Sequence, residues 1–120
     1  MSSIKIENKI SKVVFKFETE IIGKKPKKIK TIINENTIII RMKGFLSSSE
    51  IKLAQSTSGS ELIKNYRTMI FEHETDTFRK MIEDVIPASI INLYSDVDTR
   101  TGEKIIIISL NKIIDNSLSE

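Results

Sequence analysis

The run IKTIINENTIIIRMK, residues 29–43, decides the fold class. Ile29 to Ile33 and Thr37 to Lys43 are rich in β-branched residues, whose stiff side chains suit a pleated strand. Asn34, Glu35 and Asn36 stand between them as turn formers. The stretch predicts a β-hairpin. A second pair of strands follows over residues 88–95 and 104–110, joined by a loop that holds Asp96, Asp98, Thr99 and Gly102. Within it the four isoleucines Ile105 to Ile108 read as a central strand covered on both faces.

Helical periodicity fills the remainder. Ile6, Ile10, Val13, Val14, Phe17 and Ile21 recur at three-to-four spacing and mark one buried helix face. Gly23 suits the C-terminal cap, and Pro26 forces the lysine-rich stretch from Lys24 to Lys28 out of helical conformation into a basic loop. Ser47 with Glu50 and Ser58 with Glu61 both match the Ser-x-x-Glu capping box, so two helices are expected to start there. The first is short, residues 48–57. The second carries Leu62, Tyr66, Met69, Ile70, His73, Met81, Ile82 and Val85 and ends at Pro87. At about 26 residues it would reach ~39 Å, more than a compact monomer needs, which suggests a partner or a second copy packed on its far end. The order α-β-β-α-α-β-β predicts an α+β fold: a four-stranded antiparallel sheet with helices packed on one face. One domain spans residues 1–120, with its core at about 6–110 and a polar tail over 111–120 that frays or adds one more turn.

Composition narrows the function. Of 120 residues 39% are hydrophobic and 29% charged, with four Gly and two Pro, which describes a globular chain. Cysteine is absent, so disulfides, thiolate nucleophiles and Cys-ligated metals fall away and a reducing cytoplasm fits best. The N-terminus interleaves Lys and Glu with apolar residues, unlike a signal peptide. No apolar run approaches the ~20 residues that span a bilayer. Charge is uneven. Residues 1–60 carry 12 Lys/Arg against 5 Asp/Glu, a balance of +7, whereas residues 61–120 carry 7 against 11, a balance of −4. Such asymmetry steers an anionic partner to one face or marks complementary surfaces of an oligomer.

Motifs for chemistry fail on inspection. His73-Glu74-Thr75-Asp76-Thr77 is half of a zinc-protease motif, but the sequence contains one histidine. Asp96-Val97-Asp98-Thr99-Arg100-Thr101 begins like a calcium loop, then puts Arg100 at a ligand position and Thr101 at the turn glycine. Asp96 and Asp98 therefore read as turn-shaping residues. Ser49-Glu50-Ile51-Lys52 fits Ser-x-x-Lys without its companion motifs. No glycine-rich phosphate loop is present. No metal, cofactor or catalytic residue is expected. Lys24, Lys25, Lys27, Lys28 and Lys30 read either as a solvated loop or as an anion site, and lack the interleaved aromatics of a stacking platform. Arg67 reads as one half of a surface ion pair, with a buried functional arginine as the alternative.

The segments Gly23-Lys24-Lys25-Pro26-Lys27-Lys28, Gly44 to Leu53, Ser58-Gly59 with Arg67, and Tyr94 to Asp98 together resemble the MpsC-like family. The resemblance covers about residues 6–110. The family pattern has Gly-Arg-Gly-Pro or similar where this chain has Gly23-Lys24-Lys25-Pro26, and lysine keeps the charge but loses bidentate geometry. The resemblance implies the soluble component of a proposed sodium-translocating, membrane-potential-generating system. No catalytic residues carry over.

The favoured expectation is thus a non-catalytic accessory or regulatory binding domain of a sodium-, cation- or bicarbonate-handling membrane system. It would be cytoplasmic, peripheral to the membrane through a partner, with the lysine cluster, Arg67, Asp96 and Asp98 as contact residues. Integral membrane transport subunits and a second copy of the chain are the expected partners. Second comes a nucleic-acid-binding module using lysines 24–30. Third is an enzyme using Arg67, Glu72 and His73, which demands a pocket that gathers them.

Overall fold

The computed structural model describes residues 5–114. The expectations for Met1 to Ile4 and for the tail over residues 115–120 lie outside them. Strand β1 (Lys28–Asn34) and β2 (Thr37–Lys43) form the expected hairpin, with Glu35 in the left-handed region at φ 58°. Strands β3 (Ile90–Asp98) and β4 (Glu103–Leu110) form the second. The two hairpins join through β2 and β4, so the sheet runs β1-β2-β4-β3 and every pairing is antiparallel. This is the α+β architecture expected.

Alternation decides which face is covered. Ile38, Ile40 and Met42 of β2 and Ile106, Ile108 and Leu110 of β4 are all buried on one face. Each such side chain contributes roughly 1.5–3 kcal/mol when taken from water. The other face is open: Ile107 keeps 36% of its surface exposed and Ile32 40%. The isoleucine run 105–108 is therefore central but covered on one face only. A four-isoleucine run carries no polar residue to reveal which alternate positions face solvent.

Helix α1 (Lys5–Phe17) lays Ile6, Ile10, Val14 and Phe17 against that covered face. Its Glu7 Oε2 accepts the Ile33 N–H at 2.8 Å, which occupies a donor on the edge strand β1. The helix then widens into a π-helical turn, Glu18–Ile22, closed as expected by Gly23 at φ 102°, whose N–H donates to the Glu18 carbonyl at 2.8 Å. Phe17 and Glu18, adjacent in sequence, are both buried there. The chain after β4 stays tied to the hairpin, for the Ile114 N–H donates to the Glu35 carbonyl and its side chain is buried.

Two helix expectations change. The single long helix is two: α3 (Thr57–His73) and α4 (Thr75–Glu83), separated at Glu74. The break carries no Pro or Gly; Thr75 Oγ1 donates to the Phe71 carbonyl at 2.9 Å and so stabilises the corner. It lets Phe71 and Phe78 meet each other and Phe17 edge-to-face, with ring centroids 5.0–6.0 Å apart. The length argument for a partner on the far end of one rod accordingly disappears. The capping box at Ser47 and Glu50 forms as expected and starts α2 (Ser48–Leu53). The one expected at Ser58 does not, because the cap is Ser56, whose hydroxyl accepts the Gly59 N–H at 3.0 Å.

Gly59, whose N–H that cap engages, stands at a close approach. A Cβ at this position would sit 1.9 Å from the Leu53 carbonyl oxygen, so only glycine lets the end of α2 press on the start of α3. Helix propensity alone would make Gly59→Ala stabilising by about 1 kcal/mol. The close backbone approach reverses the sign, and we expect a loss of about 1–3 kcal/mol in urea denaturation. A stabilised variant would show that α2 does not hold this position in solution.

Candidate functional site

The sheet's open face collects Lys28, Lys30, Asp96 and Asp98, half of the eight contact residues singled out in the sequence. Side chains alternate along each strand, so directly paired residues share a face. Lys28, Lys43, Glu103 and Asp98 form one row across the four strands. Lys30, Arg41, Ile105 and Asp96 form the next, and Ile32, Ile39, Ile107 and Tyr94 the third. The half over β1 and β2 is thus basic and the half over β4 and β3 acidic. A depression of about 200 Å³ lies among Lys28, Lys30, Arg41, Lys43 and Glu103. There the Arg41 guanidinium donates twice to Glu103 Oε2, at 3.0 and 3.2 Å.

The lysine cluster is divided. Lys24, Lys25 and Lys27 lie in the loop before β1, whereas Lys28 and Lys30 belong to the strand itself. The Lys27 stem packs over Gly44, where a Cβ would come within 2.5 Å of it, and its N–H extends the ladder to the Lys43 carbonyl. Asp96 and Asp98 likewise stand at the end of β3 and not in a loop. Asp98 does shape the turn: Oδ1 accepts the Arg100 N–H at 2.9 Å, and the Arg100 guanidinium holds its carboxyl below the usual range. Asp96 reaches Lys64 of α3 at 3.4 Å.

Arg67 is not a surface residue. It is 8% exposed, donates to Glu50 Oε1 at 2.6 Å, to Glu50 Oε2 at 2.9 Å and to the Phe45 carbonyl at 3.0 Å. The bidentate grip locks α3 to the start of α2. Burial pushes the Glu50 carboxyl up, but Arg67 and the Ser47 N–H outweigh it and leave Glu50 below its ordinary value. Glu72 and His73, which the enzyme reading needs beside Arg67, are exposed on the same helix. The structure does not gather the three.

A second buried ion pair escapes the sequence motifs. Lys104 Nζ lies 3.2 Å from Glu18 Oε2 and 4.1 Å from the centre of the Phe71 ring, with both charged side chains nearly inaccessible. Burial drives the Lys104 ammonium below the usual lysine value, against the attraction of Glu18. Glu18 Oε1 and Thr19 Oγ1 are buried without a hydrogen-bond partner. Period two from Ile106, Ile108 and Leu110 places Lys104 on the inner face, the one signal that could have found it. Among the described residues no group of three or more His, Asp or Glu side chains could hold a metal ion.

A further surface is apolar. Leu62, Tyr66 and Met69 of α3, at positions i, i+4 and i+7, are 59%, 54% and 68% exposed. They flank the buried stripe of Gly59, Ile63, Arg67 and Phe71 and pack into no core.

The family model described as "Na+-translocating membrane potential-generating system (MpsC)" matches residues 2–112. The chain belongs to the MpsC family. Two Bacillus subtilis proteins are similar along most of their length. Uncharacterized protein YbcI is 26% identical over 115 residues, covering 96% of this chain and 93% of that one. Uncharacterized protein YrhF is 26% identical over 107 residues, covering 86% and 85%. No solved structure matches. Among the described residues no helix is long and apolar enough to cross a membrane.

The Arg67 pair generates a pH-dependent test. Removing one partner of a buried pair strands the other charge, so Arg67→Met should cost about 3–5 kcal/mol at pH 7. Glu50 titrates lower folded than unfolded, so the pair's stabilisation is complete above the unfolded value of 4.5 and fades as pH falls through the folded one. Urea titrations should therefore show the wild-type and Arg67→Met stabilities converging below pH 4.5; parallel curves would exclude the pair as the cause.

Proposed function

We propose that this MpsC-family chain is a non-catalytic accessory subunit that docks on an integral membrane subunit of a Na+-translocating, potential-generating system. The observation that carries the reading is the exposed stripe of Leu62, Tyr66 and Met69. Three large apolar side chains on one helix flank are held out of the core, in the pattern by which an amphipathic helix presents anchors to a partner. The family assignment supplies the class of partner. With no spanning helix among the described residues, attachment to such a system runs through a surface of this kind. The subunit is cytoplasmic in this reading and peripheral to the membrane.

A nucleic-acid module is the second reading, favoured by the four cations Lys28, Lys30, Arg41 and Lys43 on adjacent strands. Two features weigh against it. Glu103 sits among those cations, and Tyr94, the aromatic on the face, lies on the far strand.

The test is affinity purification of the tagged chain from detergent-solubilised membranes of its own host, at low and high salt, with mass spectrometry and nucleic-acid quantification. Integral Na+-transport subunits should co-purify with the wild type at both salts. Recovery should fall about tenfold or more with Tyr66→Lys/Met69→Lys, a surface change that leaves the fold intact. Nucleic acid held at low salt, released at high salt and unaccompanied by membrane subunits would replace this reading with the second.

A further inference from the structure

The open sheet face is complementary to itself, and we propose that it is the interface of a two-fold homodimer. This inference stands apart from the docking stripe on α3. Consider a two-fold axis parallel to the strands, midway between β2 and β4, with the two open faces stacked. Each β1 then lies over the partner's β3 and each β2 over the partner's β4. Every row covers itself in reverse order.

The outcome row by row is specific. In the first row Lys28 meets the partner's Asp98 and Lys43 the partner's Glu103. In the second, Lys30 meets the partner's Asp96, while Arg41 lies over the partner's Ile105 and keeps Glu103 of its own chain. In the third, Ile32 meets the partner's Tyr94 and Ile39 the partner's Ile107, so the apolar row closes on an apolar row. Tyr94, 58% exposed, and Ile32 and Ile107 leave water together. A two-fold axis running across the strands gives the opposite result. It sets each strand antiparallel on its own copy. Centred on the middle row, it lays Lys30 over the partner's Lys30 and Lys28 over the partner's Ile32. Shifted by half a row, it lays Lys30 over the partner's Ile32 and Arg41 over the partner's Ile39, so charges meet like charges or apolar side chains. The charge and apolar patterns select the same axis.

Two charges on this face stay open to a second chain although each has a partner in its own, while the Glu103 side chain is only 18% exposed and Asp98 already closes the turn at Arg100. Asp96 keeps 78% of its side chain exposed while paired with Lys64, and Arg41 keeps 55% exposed while paired with Glu103. Such pairs contribute little and can join a wider network when a second layer of opposite charge arrives. Four strands about 4.8 Å apart and rows covering about 20 Å of strand give a face of roughly 20 × 20 Å. That is about half the standard interface of ~800 Å² per partner, the size of a weak or transient contact, so a dissociation constant of about micromolar order or weaker is expected. Charge pairs at its rim make it weaken with salt.

Sedimentation velocity of the full chain from about 1 to 200 μM tests the proposal. The wild type should show a concentration-dependent dimer that weakens between low and high salt. Lys30→Asp places two acids face to face at both symmetry-related sites, and Asp96→Lys two cations; each should weaken dimerisation about tenfold or more. Lys30→Asp/Asp96→Lys in one chain should restore it. Within a chain these residues are three strands apart, about 14 Å, so the rescue reads contact between copies. Circular dichroism confirms that each variant is folded. A chain monomeric throughout, or a dimer indifferent to the single swaps or not rescued by the double one, overturns the proposal. So does a dimer abolished by Tyr66→Lys/Met69→Lys and untouched by Lys30→Asp, since that dimer would use α3. Loss of membrane partners in the purification above leaves this result unaffected.

Discussion

The pairing of β2 with β4 is the constraint on which the rest of the molecule hangs. It joins two hairpins that are each marginal alone into one sheet. It also fixes the register that puts Ile38, Ile40 and Met42 beside Ile108, Ile106 and Lys104 on one face. A slip of one residue would carry Ile39, Arg41, Ile105 and Ile107 inward and expose the present core. Because the period of a strand is two, the same pairing that builds the core also sorts the open face into rows. Core and surface are consequences of a single register.

Lys104 is where that register meets the helices. As an inward residue it must be neutralised, and Glu18 at the π-helical turn does so from 86 residues away, under the Phe71 ring. A buried pair of this sort adds little net stability over apolar residues of similar volume, but it is costly to break. It therefore specifies position: α1 must end where Glu18 reaches Lys104, and α3 must place Phe71 over the ammonium. The corner at Glu74 follows from the same demand, for one straight helix could not bring Phe71 and Phe78 onto Phe17 together. Arg67 repeats the device at the outer end, tying α3 to Glu50 and to the Phe45 carbonyl.

Local signals are legible in the sequence and long-range ones are not. The first helix, both hairpins, the Gly23 cap and the Ser47 box each rest on a few consecutive residues, so neighbouring side chains suffice to reveal them. The break between α3 and α4 leaves no trace because apolar residues seven apart satisfy one helix or two equally well, and no Pro or Gly marks it. Ser58 satisfies the box pattern, yet Ser56 makes the cap, and the tight approach of Leu53 to Gly59 just inside it involves a residue the pattern does not include. Arg67 and Glu18 look like ordinary surface charges because their partners lie 17 and 86 residues away, and Lys104 betrays itself only through the period of β4. Of the residues proposed for contact, Lys28, Lys30, Asp96 and Asp98 do share a face, but that fact needs the strand order. Nothing local says that the second hairpin joins through β4.

The overall charge split of the sequence acquires a physical meaning from that order. The +7 of the first 60 residues and the −4 of the last 60 could have been scattered over a globular surface. The strand order β1-β2-β4-β3 instead keeps the two hairpins side by side, so the first contributes the basic half of the open face and the second the acidic half. Had β3 paired with β2, Asp96 and Asp98 would stand near the centre and Glu103 at the edge, and a strand-parallel axis would no longer set the edge lysines over the edge aspartates. The helices occupy the opposite side of the sheet, so stacking two open faces leaves both helical layers outermost. In the proposed pairing the sheet face would meet a second copy through its charge order, and the stripe on α3 would stay exposed on the outer layer.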